Sequence, residues 1–152
     1  MIDSKRWAWR LGTWFGCGNS PFAPGTVGAF GAIPLHLCIR ALGPAAQLAA
    51  IAATTAAGLW ASERMAEELG EKDPSQVVID EVAGTLIALG LVNRRGPIAG
   101  ILAFSLFRLL DVIKPGPIDH VQRLEPAGLG IMADDLLAGL AAGLLARVLS
   151  RR

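Results

Sequence analysis

The sequence predicts an all-α fold, a compact multihelical bundle of about five to six helices embedded in a membrane or resting against one. Three observations lead there. Hydrophobic residues make up 53% of the 152-residue chain and charged ones only 18%, with a mean hydropathy of +0.48, whereas soluble domains carry about 25% charged residues. The apolar residues fall into runs of helical length. Those runs end at Gly, Pro and short charged clusters, which stop helices.

The same figures set bounds on function. A length of 152 residues fits one domain spanning residues 1–152. The formal net charge of +1 supplies no basic field, and with no Tyr and four scattered Trp no stacking platform is visible, so nucleic acid is excluded as a partner. Cys17 and Cys38 form no C-x-x-C pair, which reads as a reducing compartment without disulfide or zinc.

Taken in order, the N-terminus combines Lys5, Arg6 and Arg10 with Trp7, Trp9 and Trp14. It lacks the uninterrupted apolar core of a signal peptide and reads as an interfacial segment at the cytoplasmic face of a bilayer. Gly16 to Gly31 holds five Gly and two Pro in sixteen residues, too many for regular helix throughout. An apolar piece follows from Ala32 to Ile39. Ala41 to Ser62 then runs 22 residues without a charge, and about 20 apolar residues suffice for a span. Glu63 to Ser75 is strongly charged and predicts an exposed helical turn or two, closed by Gly70 and ended by Pro74. A β-branched lead-in precedes an apolar helix from Glu81 to Asn93, and a further helix runs from Ile98 to Ile113. Asp119 to Ala133 reads as a polar crossing. The last helix is expected from about Asp134 to Ser150, with Arg147 near its C-terminal end, where the macrodipole favours cations.

Four clusters at the ends of apolar helices carry the chemistry. In the first, Gly16 to Gly28, a Gly- and Pro-rich loop can turn backbone N–H groups, with Ser20, Gly25 and Thr26, toward phosphate oxygens. The second is Asp80 with Glu81, the third Asp134 with Asp135; a helix N-cap needs one carboxylate, and each of these helices presents two. Asp80-Glu-Val-Ala-Gly84 is echoed by Asp135-Leu-Leu-Ala-Gly139. A Gly one turn below each acid lets two helices approach closely with their acids at one end. Four converging carboxylates in an apolar setting need a cation, and oxygen-only ligands select a hard ion such as Mg²⁺. The fourth cluster is Arg108, Asp111 and Lys114, at intervals of three and therefore within about a 120° arc of a helix, stopped by Pro115 and Pro117. Carboxylates, a hard cation, two basic side chains and a Gly-rich loop describe a site for a phosphate ester. His36 reads as structural and His120 as a lesser candidate for acid catalysis.

In this order and spacing the clusters resemble the bacterial phosphatidylglycerophosphatase A family. The matching segments are Gly16-Cys-Gly-Asn-Ser-Pro-Phe-Ala-Pro-Gly-Thr26, Asp80-Glu-Val-Ala-Gly84, Phe107-Arg-Leu-Leu-Asp-Val-Ile-Lys-Pro-Gly-Pro-Ile118, and Gly128-Leu-Gly-Ile-Met-Ala-Asp-Asp135 with Ala138-Gly139. One departure is Ala127, where the family usually has Gly; a positive φ there would strain the loop.

The resemblance implies an all-helical Mg²⁺-dependent enzyme of phospholipid synthesis. Such an enzyme hydrolyses phosphatidylglycerophosphate at the inner membrane, with its site facing the cytoplasm. Under this reading Asp80, Glu81, Asp134 and Asp135 hold Mg²⁺, while Arg108 and Lys114, with Ser20, Gly25 and Thr26, take the phosphate. Catalytic roles fall to Asp111, Asp134 and Lys114, through a metal-activated water or a direct aspartyl nucleophile. The rival reading is a non-catalytic transporter or lipid-binding subunit whose intramembrane charges pair with one another. Small-xxx-small pairs at Gly96/Gly100 and Gly139/Gly143 permit helix packing within or between chains, so a homo-oligomer is allowed.

Overall fold

A computed structural model describes residues 2–150. These form seven α-helices and one 3-10 turn, with no strand among them: α1 (Ile2–Gly12), the turn at Cys17–Asn19, α2 (Pro24–Arg40), α3 (Pro44–Leu69), α4 (Ile79–Leu91), α5 (Pro97–Ile113), α6 (Pro117–Val121) and α7 (Ala127–Leu149). Four of them, α2, α3, α5 and α6, start with Pro in the first turn, where its missing N–H costs nothing and its fixed φ suits the helix.

α7 is the central element, packed by α3, α4, α5 and α6, while α2 covers the outer side of α4. The crossing of α4 and α7 is as close as backbones allow. A Cβ on Gly139 would overlap the carbonyl of Gly84 and stand 2.8 Å from its Cα, and a Cβ on Gly84 would stand 2.7 Å from the Asp135 carbonyl oxygen and 2.5 Å from the Phe107 ring. The echoed Ala-Gly pairs thus mark the crossing point, and Phe107, fully buried, seals it from α5.

Several boundaries differ from the sequence expectation, each for a packing reason. α2 begins at Pro24 and takes Gly25, Gly28 and Gly31 into the helix. These residues lie three apart on one face, and Cβ atoms there would collide with Glu81, Val78 and Trp14 respectively. The glycines therefore serve close approach rather than loop freedom. α7 likewise begins seven residues early, because Gly128 packs on the α3 backbone at Leu59 and Glu63, and Gly130 on the carbonyls of Gln122 and Leu124. Asp134 and Asp135 consequently lie two turns inside a helix and do not open one. Ala127 is helical, with no positive φ. Finally, the uncharged run and the charged segment after it are one helix, α3, closed by Gly70 in the left-handed conformation (φ 66°).

At 1.5 Å per residue, α4 and α5 are ~20 and ~26 Å long, short of the ~30 Å hydrocarbon core. α7 alone among the described residues is long and apolar enough to cross a membrane, and 56% of its apolar window is buried inside the bundle. Large apolar side chains stand exposed on α5 (Leu109, Val112, Ile113) and α7 (Leu140, Leu144, Leu145, Val148). Such an extensive apolar surface marks a membrane or protein contact. α1 lies on α3, tied by Lys5 to Glu68 at 2.6 Å and by the Trp9 indole donating to Glu68 at 3.0 Å.

Candidate functional site

The α4–α7 crossing brings three of the predicted acids together. Oxygens of Asp80, Glu81 and Asp135 all lie within 4.8 Å of one another. None of them caps a helix: the N-cap of α4 is Val78, without a side-chain cap bond, and Asp135 is far inside α7. Each keeps a buried oxygen with no hydrogen-bond partner among the described residues, namely Asp80 Oδ1, Glu81 Oε2 and Asp135 Oδ2. Unpartnered buried carboxylate oxygens are costly and call for an explanation.

Electrostatics point the same way. Burial, then the charge of Glu81, raises the Asp80 pKa well above the carboxylate range; burial, then Asp80 and Asp111, does the same to Asp135. Glu81 is raised to about 8, mainly by burial and then by Asp135. Like charges in a dry site cannot all ionise unless a cation joins them. Three buried oxygen ligands with free lone pairs fit a hard divalent cation such as Mg²⁺.

Basic groups flank the trio. Arg108 on α5 bonds Asp111 Oδ2 at 2.5 Å, one turn on, and reaches Thr26 Oγ1 at 3.5 Å. Both side chains of the Arg108–Asp111 pair are largely buried. Gly25 lies directly beneath Glu81 and Arg108, so that a side chain there would overlap the Glu81 carboxylate and stand 3.2 Å from the Arg108 guanidinium. The amides of Gly25 and Thr26 are in the first turn of α2 and have no backbone acceptor, which leaves a positively polarised helix end beside Arg108.

Lys114 ends α5 in the left-handed conformation, φ 47° and ψ 58°, a geometry costing a non-Gly residue about 1–2 kcal/mol. This turn sends its ammonium to Asp134 and, at 3.3 Å, to Gln122 Oε1. Burial lowers the Lys114 pKa, but the hydrogen bond to Asp134 and the charges of Asp134, Asp111 and Asp135 outweigh it, and the net shift is upward. The amine stays charged.

Of the ten residues singled out from sequence, the structure gathers Asp80, Glu81, Asp135, Asp111, Arg108, Gly25 and Thr26 around one point. Asp134 is turned to Lys114 and is not among the three acids whose oxygens converge, though its charge acts on Asp80 and Asp135. The Ser20 hydroxyl is engaged in its own turn, donating to the Phe22 carbonyl at 2.8 Å. Sequence reasoning missed Gln122, which links Lys114 to Asp119 through a 2.5 Å bond from its Nε2. Only its place in the polar crossing hinted at it. His120 is exposed, its Nδ1 2.8 Å from the Gly116 carbonyl, and offers no acid to the trio.

Comparison with known proteins adds an independent line. A Bacteroides thetaiotaomicron protein described as a candidate phosphatidylinositol-3-phosphatase is 41% identical over 137 residues, covering 86% of this chain and 85% of that protein. Phosphatidylglycerophosphatase A of Escherichia coli is 35% identical over 139 residues, covering 89% and 79%. The enzyme of that name from Haemophilus influenzae is 32% identical over 131 residues, covering 86% and 80%. No solved structure matches the chain. The family model described as phosphatidylglycerophosphatase A matches residues 10–150, a span that contains every residue of the site, and the chain belongs to that family.

Proposed function

We propose that this chain is a Mg²⁺-dependent lipid phosphatase that hydrolyses phosphatidylglycerophosphate to phosphatidylglycerol and phosphate in phospholipid biosynthesis. It acts at the bacterial inner membrane with its site on the cytoplasmic side. The observation that carries the proposal is the convergence of three carboxylates, each with one buried oxygen left without a partner among the described residues, beside Arg108 and the open N-terminus of α2. Asp80, Glu81 and Asp135 would hold the cation, which when bound polarises the phosphate and makes water a better nucleophile.

The chain's own residues supply the rest. Arg108 and the Gly25 and Thr26 amides receive the phosphate oxygens, a charge-assisted and directional arrangement. Asp111 holds the Arg108 guanidinium in place and, close to Asp135, is the group positioned to orient the attacking water and accept its proton. Asp134 fixes the Lys114 ammonium at the mouth of the site, where it balances charge that builds up as the phosphorus–oxygen ester bond breaks.

The relatives' names favour a phosphoric monoester hydrolase over a transporter or lipid-binding subunit. A second reading, a phosphoinositide 3-phosphate as substrate, is favoured by the higher identity to the B. thetaiotaomicron protein. Both substrates present a phosphate monoester on a lipid headgroup. Phosphate release from the two lipids, in matched detergent micelles with Mg²⁺, separates them: the proposal predicts a kcat/KM for phosphatidylglycerophosphate at least about tenfold higher, equivalent to ~1.4 kcal/mol in the transition state. The reverse ranking would transfer the assignment to the inositol lipid.

A further inference from the structure

The end of the bundle opposite the carboxylates carries a second, basic cavity that the phosphatase reading does not use. It has a volume of about 670 Å³ and is lined by Arg40, Arg94, Arg95 and Arg147, with no acidic residue among its lining. Arg95 donates to the Ser150 carbonyl at 3.2 Å and so caps α7. Arg40, Arg94 and Arg147 have no ion-pair or hydrogen-bond partner among the described residues. The N-terminus of α3, at Gly43 and Pro44, opens into the same cavity without a side-chain cap, adding the positive end of a helix dipole. From Thr26 to Arg40 along α2 is fourteen residues, so this pole is ~21 Å from the phosphatase site.

Arg40 and Asn93 also line a neighbouring groove of about 530 Å³ between α2 and α5, whose walls include Phe30, Leu37, Ile101 and Phe104. The two cavities are therefore adjacent, sharing Arg40 and Asn93 as walls. Inside the groove, His36 is 95% buried and its Nδ1 has no partner; buried polar groups of this kind are normally satisfied, by protein, water or ligand. Burial and the nearby Arg40 hold the His36 pKa below its ordinary value, leaving a neutral ring that can bond a carbonyl or hydroxyl. A basic pocket beside a mainly apolar groove, with His36, Asn93 and Ser105 as polar groups in its wall, has the chemistry of a phospholipid: phosphate, acyl chain and ester.

We infer that the pole at Arg40, Arg94 and Arg147 binds the headgroup phosphate of an anionic phospholipid, with an acyl chain in the α2–α5 groove, as a site distinct from the one that hydrolyses substrate. Phosphatidylglycerol is the probe: its only phosphate is a diester that cannot be hydrolysed as a monoester, and its binding as product at the carboxylate site is separated from the pole by variants at the pole. Native mass spectrometry of the detergent-solubilised full chain, titrated with phosphatidylglycerol, measures the site. The expected result is a bound lipid whose affinity falls about tenfold or more in Arg40→Gln/Arg94→Gln/Arg147→Gln, since charge-assisted bonds to phosphate are lost. It should fall comparably in Gly100→Leu, whose side chain projects from a residue that lines the groove and at which an added Cβ meets only Leu89, at 3.9 Å. Phosphate release from a short-chain soluble substrate should be unchanged in both, and neither variant should have a lowered melting temperature. Equal binding by the variants, equal binding of phosphatidylcholine, or full displacement of the lipid by millimolar inorganic phosphate would each overturn the inference, the last by reducing it to a bare phosphate site.

Discussion

The most informative perturbation of this protein is pH in the absence of divalent cations. Glu81 has an ordinary pKa of 4.5 and is raised to about 8 in the fold, while Asp80 and Asp135 move in the same direction. The folded state thus retains a proton that the unfolded chain gives up first. Below pH 4.5 Glu81 is neutral in both states and costs nothing. As pH rises toward 8 the unfolded state ionises and the folded state does not, so stability is lost progressively across that window and levels off above it. At 1.36 kcal/mol per pKa unit, the Glu81 shift alone amounts to about 5 kcal/mol, comparable to the whole stability of many domains. For a chain of this size it lowers the melting temperature by ~10 °C or more between pH 5 and pH 8. Mg²⁺ should reverse the trend, because it binds the ionised trio: saturating the site at one hundred times its Kd adds about 2.7 kcal/mol, and the stabilisation should be larger at pH 8 than at pH 5. Calorimetry of detergent-solubilised protein, with EDTA and with Mg²⁺, reads both effects, and Glu81→Gln should flatten the metal-free slope. A metal-free melting temperature that stays level or rises from pH 5 to pH 8 would mean that the trio does not hold its protons in the fold, and a Mg²⁺ shift no larger at pH 8 would mean that the cation does not bind the ionised trio.

Three further outcomes follow from the geometry. Asp135→Asn should raise the metal-free melting temperature at pH 8, because the amide has no proton to retain against the unfolded chain's ionisation, while abolishing phosphate release and Mg²⁺ stabilisation; a destabilised metal-free variant would count against the trio. Lys114→Ala leaves the buried Asp134 without its partner, a loss of about 3–5 kcal/mol, and Lys114→Gly should be the more stable of the two by ~1 kcal/mol because Gly accepts the left-handed turn; both should lose turnover, and equal melting temperatures would deny the strain at this position. Gly139→Ala forces α4 and α7 apart at Gly84 and should cost about 1–3 kcal/mol in denaturation, whereas Gly100→Ala, with open space around it, should be neutral or stabilising by up to ~1 kcal/mol.

Much of this was legible in the sequence because the site is built at a helix crossing, and a crossing leaves a periodic trace. The acid-x-x-Ala-Gly echo at Asp80 and Asp135 pointed to a close approach of two helices, and Gly84 and Gly139 are where they touch. The i,i+3 spacing of Arg108 and Asp111 likewise became an ion pair. What misled was glycine read as a sign of loop. Gly25, Gly28, Gly128 and Gly130 are all helical, because the loss of backbone freedom is offset by contacts that only a missing side chain permits, and such contacts involve partners remote in the chain. For the same reason the start of the last helix fell at Asp134 in the sequence reading, which made Asp134 and Asp135 look equivalent. In the structure α7 is already two turns long there, consecutive residues point about 100° apart, and so Asp135 meets Asp80 while Asp134 meets Lys114. The unpaired arginines at Arg40, Arg94 and Arg147 carried no local signal, since they come from three segments that only the fold unites.

On the proposed function, Asp80, Glu81 and Asp135 hold a divalent cation that hydrolysis of a lipid phosphate monoester requires. Phosphate release from phosphatidylglycerophosphate micelles by purified protein, followed through removal of metal by EDTA and restoration with excess Mg²⁺, tests it most directly. Release should stop with EDTA, return with Mg²⁺, and fail to return in Asp135→Asn. Release that continues undiminished in EDTA, or that proceeds at the wild-type rate in Asp135→Asn, would contradict it.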